Sequence, residues 1–112
     1  MTLKDWIKKY EAKAEPFVLE DGFQIFFSAE HGFLCWKVEG DTLHIDHSST
    51  DDWAWMRDKV VGIAKAHGCR RLMTFVFRNP RAYARLTGAH LLPKESRTLA
   101  NGKFYWAFEE MI

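Results

Sequence analysis

"VVGIAKAHGCRRLMTFVFRN" (60–79) changes its period halfway along, and that change decides the fold. Its first half continues a helical stripe begun upstream, with Trp53, Met56, Val60, Ile63 and Ala64 on one face. Gly68 supplies a left-handed stop just past His67. The second half, "RRLMTFVF" (70–77), is an unbroken apolar run of strand formers, which predicts a central strand over residues 71 to 78, buried on both faces. Upstream, "TLHIDH" (42–47) alternates as a strand does. A strand, a helix and a second strand in succession imply a right-handed crossover that leaves the two strands parallel.

Outward from this unit the periods stay legible. "TLKDWIKKYEAKAEP" (2–16) sets Leu3, Trp6, Ile7, Tyr10 and Ala14 on one helical face, with Thr2 and Asp5 spaced as a capping box and Pro16 as the stop. "GFQIFFSAEHGFLCWKVEGDTLHIDHSS" (22–49) predicts an antiparallel meander with strands near 23 to 28, 33 to 38 and 42 to 47. After Asn79 and Pro80, "RAYARLTG" (81–88) gives a short helix ended by Gly88. "LPKESRTLANG" (92–102) reads as a loop, and "GKFYWAFEEM" (102–111) as the last strand. The expected fold is a single α+β domain over residues 1 to 112. It has α/β/α layers, and its mixed sheet is mostly antiparallel with one parallel central pair.

Composition narrows the function. With 47% hydrophobic and 15% aromatic residues the chain can build one core. Sixteen basic against fifteen acidic residues leave a net charge of +1, so no global field gathers nucleic acid or an anionic membrane. The basic run "RNPRAYAR" (78–85), with Arg70 and Arg71, is read as a solvated face. No apolar run approaches the roughly 20 residues a bilayer requires. "MTLKDWIKK" (1–9) has no apolar segment of the secretory type. Cys35 and Cys69 are read as buried free thiols, and the expected compartment is the cytoplasm.

The element order resembles that of the GNAT superfamily of acetyl-CoA-dependent N-acetyltransferases. The likeness is carried by "VVGIAKAHGCRRLMTFVFRN" and "NPRAYARLTGAH" and is strongest from Thr42 onward, about two-thirds of the usual core. It implies acetyl-CoA as cofactor, lying where the two parallel strands part, with its diphosphate on the N-terminus of the central helix. On this chain the cofactor contacts would fall on Ile45, Asp46, Ser48, Ser49, Thr50 and Asn79. A tyrosine on the following helix would be the acid, here Tyr83, although Tyr83 is out of the family register. The glycines of the family's phosphate loop fall on Asp51 and Trp53, and its leading polar residue on Ser48, so that loop signature is absent. Instead Ser49 and Asp52 have capping-box spacing, and a carboxylate about 4 Å from a phosphate would cost a few kcal/mol.

"HIDH" (44–47) puts His44 and Asp46 on one face of its strand and His47 on the other by simple alternation. His47 is the candidate base, a neutral imidazole suited to deprotonating an amine, set against the plainer reading of a polar strand end. Ligands split between faces give no metal site. Trp6, Trp36, Trp53 and Trp106 fit apolar faces. Trp55 points off the helical stripe, which leaves two readings: cover by the first helix, or a contact surface for a second copy or another protein. Two functions follow. One is an N-acyltransferase acting on a small-molecule or protein amine. The other is a non-catalytic relative of the phage or prophage type, a binding or virion-assembly component located in the particle.

Overall fold

The computed structural model describes residues 1–13, 15–77 and 79–112. Ala14, expected on the first apolar helix face, and Arg78 of the basic run lie outside the described residues. The chain forms α1 (Leu3–Glu11), β1 (Gln24–Ser28), β2 (Gly32–Glu39), β3 (Thr42–Thr50), α2 (Trp53–Ala66), β4 (Arg71–Val76) and α3 (Pro80–Thr87). It continues through β5 (His90–Leu91), a 3-10 turn (Pro93–Glu95), β6 (Arg97–Thr98) and β7 (Phe104–Met111). The strands lie in the order β1-β2-β3-β4-β7-β5, with β6 also on β7. The expected α+β class and the parallel central pair are both present. The stretch expected as a loop after α3 instead carries β6, just after β5, and both pieces are too short to display a period.

Local chemistry accounts for the ends of the helices. Thr2 and Asp5 form the expected box, with Asp5 N donating to Thr2 Oγ1 at 3.1 Å and Thr2 N to Asp5 Oδ2 at 2.9 Å. Gly88 ends α3 at φ +73°, a left-handed conformation that costs a side-chain-free residue nothing.

Each sheet face is covered differently. Leu34, Leu43, Ile45 and Leu72 pack under Met56, Val60 and Ala64 of α2. On the opposite face Trp6 and Tyr10 of α1 press onto Phe33 and Cys35, and Trp6 Nε1 is tied to the Ala29 carbonyl at 3.1 Å. Cys35 and Cys69 are buried and unpaired, as expected. The central strand β4 sends Leu72 to the α2 side and Met73 and Phe75 to the other. Burying side chains of this size contributes about 1.5 to 3 kcal/mol each.

One irregularity shapes the sheet. Leu34 pairs with Ser48 but Trp36 with Ile45, so Asp46 and His47 together stand opposite Cys35. This is a β-bulge, which bends its strand and turns two successive side chains to one face. The alternation expected for "HIDH" therefore fails: His47 joins Asp46 on the α1 face. Beyond the bulge β3 stays with β2 as far as Thr50, while β4 stays with β7 as far as Val76. Only Thr42 to Ile45 pair with Arg71 to Thr74. The two central strands run side by side and then part.

The far end of β3 is held against β2 where Gly32 meets Thr50. Gly32 has φ +128°, and a Cβ there would lie 1.9 Å from the Ser49 carbonyl oxygen. Gly32→Ala is expected to cost about 3 kcal/mol or more in urea unfolding. Gly40→Ala, with positive φ but open space around it, is expected to cost only about 1 kcal/mol.

Candidate active site

The parting of β3 and β4 opens a cleft through the sheet. A chamber of about 280 Å³ lies on the α2 side, bordered by Ile45, Met56, Arg57, Val60 and Glu110. A second, of about 500 Å³, lies on the α1 side against Tyr10, Glu15, Asp46, Phe75, Phe77 and Tyr105. Ser48, Trp53, Thr74, Tyr83 and Leu86 border both, so the chambers meet at the gap between the strands. A smaller recess over Ser49, Thr50 and Lys13 adjoins them at Ser48 and Trp53.

Asp46 lies on the α1 side of this cleft, 5% exposed. Its Oδ1 accepts the His47 backbone N–H, while its Oδ2 is buried with no hydrogen-bond partner among the described residues. Burial pushes the carboxyl up to about 7, against the pull of that backbone donor. Glu20 raises it further, and Arg97 acts the other way.

His47 is fully buried and borders none of the chambers. Expected as the base at the cleft, it is instead enclosed, because the bulge turns it under α1. Burial lowers its pKa and favours the neutral ring. Its Nδ1 lies 2.6 Å from Tyr10 Oη, which in turn donates to Glu15 Oε2 at 2.9 Å. Tyr105 also donates to Glu15 and accepts from Asn101 Nδ2 at 2.8 Å. Glu15, Glu20 and a hydrogen bond to the Val18 backbone pull the His47 ring's pKa up, against the effect of burial. Tyr10, Glu15 and Tyr105 form a chamber wall that the sequence reading did not find. Glu15 sits alone before Pro16 with no periodic partner, Tyr10 reads as part of an apolar helix face, and Tyr105 reads only as one residue of the last strand.

Tyr83 sits where the chambers join, its ring 4.7 Å from that of Phe108. Burial raises its pKa, and a hydrogen bond from Thr74 opposes the rise. The residues expected to contact a cofactor are brought together: Ile45, Asp46, Ser48, Ser49, Thr50 and Asn79 all border the connected chambers. Asn79 also caps α3, its Oδ1 accepting from Arg81 N at 2.9 Å.

The mouth of α2 differs from expectation. Ser49 belongs to β3, and the cap is Asp52, whose Oδ1 accepts from Trp55 N at 3.0 Å. Thr50 Oγ1 donates to the His31 carbonyl at 2.8 Å and accepts from Asp52 N at 3.0 Å. The helix does cap itself, but one turn later than Ser49 would allow. Trp53, expected in the core, is 53% exposed, because the sheet beneath the first turn is missing where the strands part. Trp55, expected off the stripe, packs on the core against Phe26 and His31 instead of α1. Arg57 is bound through its two terminal guanidinium nitrogens to Glu110, at 2.7 and 2.6 Å. Among the described residues no group of three or more His, Cys, Asp or Glu is placed to hold a metal. No helix among the described residues is long and apolar enough to cross a membrane.

The same architecture occurs in solved structures. Ard1 from Thermoplasma volcanium superposes with a TM-score of 0.60 over 100% of this chain and 94% of that one, at 11% identity. The fold is the GNAT acetyltransferase fold. A tandem GNAT protein from the clavulanic acid biosynthesis pathway matches at TM-score 0.54 and 15% identity, over 81% of this chain and 41% of that one. The PaiA N-acetyltransferase of Thermoplasma acidophilum, solved in complex with coenzyme A, matches at 0.52 and 11%, over 98% and 69%. The GNAT likeness thus extends through α1 and the first hairpin and is not confined to the part after Thr42. No family model matches the sequence, and no curated protein matches it.

Asp46 makes stability depend on pH in a defined direction. Between its ordinary value of 3.8 and about 7 the folded chain keeps a proton that the unfolded chain has released, so stability falls as pH rises through that window. His47 acts in the opposite sense: its contribution is complete above 6.5 and is lost as pH falls through the depressed value. Comparing Asp46→Asn with the wild type cancels the histidine. The variant's stability relative to wild type, measured by urea unfolding, is expected to rise by a few kcal/mol between about pH 4 and pH 7.

Proposed function

We propose that this protein is an acyl-CoA-dependent N-acyltransferase acting on an amine. The reading is supported above all by the cleft between β3 and β4, with Asp46 on one side and Tyr83 at the junction. Acetyl-CoA supplies an activated acyl thioester when bound. Its arm and thioester would lie in the gap, because beyond Ile45 and Thr74 the two strand edges no longer pair with each other. Ile45 and Ser48 would flank it there. The diphosphate end finds a poorer match. Asp52 already occupies the helix mouth, Asp51 stands beside it, and Arg57 is engaged by Glu110.

The Asp46 carboxyl, on the chamber wall, takes the proton that an ammonium must shed before its nitrogen can attack, a task suited to a carboxyl titrating near neutrality. Tyr83 Oη, still protonated at neutral pH, supplies a proton to a departing thiolate from the other side. His47 is a positioning residue that orients Tyr10 and Glu15 and does not touch the substrate.

Calorimetric titration with acetyl-CoA tests the reading. Binding is expected, weak for this chemistry, and lost in Ser48→Trp, which fills the junction. Asp51→Asn is expected to tighten it about fivefold, the effect of removing one near-surface like charge. Absence of heat and of thermal shift at millimolar acetyl-CoA would refute the proposal.

A further inference from the structure

The chamber on the α1 side has a chemistry of its own. Asp46 is nine-tenths buried, lines the chamber, and carries an oxygen that no group among the described residues satisfies. A desolvated carboxylate of this kind is costly unless a cation meets it. Glu15 adds a second acid on the same wall. Aromatic rings of Tyr10, Phe75, Phe77, Tyr105 and Trp53 supply much of the remaining surface. They are braced: Phe77 and Tyr105 lie 5.7 Å apart, and the Tyr10 and Tyr105 hydroxyls are fixed by Glu15. Aromatic faces attract cations and exclude polar bodies. Among the described residues lining this chamber none is basic; Lys13 borders the adjoining recess. The charged groups that reach Asp46 from elsewhere are Glu20, after α1, and Arg97 of β6, whose guanidinium lies over the Phe75 ring.

We infer that this chamber selects a primary ammonium carried on an apolar body, an alkyl- or arylalkylamine with no negative charge of its own. Asp46 reads the charge and the aromatic walls read the body. An amino acid or a peptide C-terminus is disfavoured, because its carboxylate would face two acids with no cation among the described lining residues to hold it. The inference rests on the acyltransferase reading only in naming this ligand the acyl acceptor; recognition of the ammonium stands on the chamber itself.

The test uses the whole chain without any acyl donor. Phenethylammonium, phenethyl alcohol and phenylalanine are titrated by calorimetry at about pH 8, where Asp46 is ionised. Phenethylammonium is expected to bind at least tenfold more tightly than the alcohol or the zwitterion. Asp46→Asn is expected to remove that preference while leaving the weak binding of the alcohol unchanged. Equal binding of all three ligands, or none, overturns the inference. So does a preference that survives in folded Asp46→Asn. If that variant does not fold, the three ligands on the wild type decide alone. Acetyl-CoA binding without ammonium preference would sink this inference and leave the acyltransferase reading. Ammonium preference without acetyl-CoA binding would do the reverse.

Discussion

One extra residue in β3, opposite Cys35, sets the construction of the sheet. Without it β3 and β4 could continue in register beyond Ile45 and Thr74, and the sheet would close. With it β3 bends away, still held by β2, while β4 remains with β7. The sheet becomes two halves joined by four residue pairs at one end. Every feature assigned to function follows from that geometry. The chambers lie above and below the gap, Trp53 is left without a floor, and Asp46 and His47 share one face.

The bulge also concentrates polar groups where a small protein can least easily hold them. Asp46 buries a carboxyl oxygen with no partner among the described residues, and such an atom costs free energy that an apolar one would not. The neighbouring network of Tyr10, Glu15, Tyr105 and Asn101 is by contrast well satisfied. The contrast separates two roles within a few ångströms. The satisfied network fixes the wall. The unsatisfied carboxyl costs stability near neutral pH.

Much of this was legible in the sequence because periodicity reports burial. The stripe of Met56, Val60 and Ala64 and the unbroken run around Leu72 and Phe75 identified α2 and β4, and the crossover rule made β3 and β4 parallel. Chain order then brought Ile45, Ser48 and Asn79 to the cleft. What failed was local. Alternation assumes an unbroken strand, so nothing in "HIDHSS" announced that His47 would change face. The cap shifted from Ser49 to Asp52 because β3 keeps pairing with β2 as far as Thr50. Trp53 and Trp55 exchanged expected roles because the helical wheel knows the helix but not the missing floor beneath its first turn. Glu15 lies in a stretch without period, and only the fold brings it to Tyr105, ninety residues away.

The open gap between β3 and β4 is the central claim, and interstrand nuclear Overhauser contacts in solution test it directly. Cross-strand contacts are expected between Leu43 and Leu72 and between Ile45 and Thr74, with none linking His47 or Ser48 to Val76 or Phe77. A continuous ladder of contacts running through those later residues would mean that the sheet is closed, and would contradict the account.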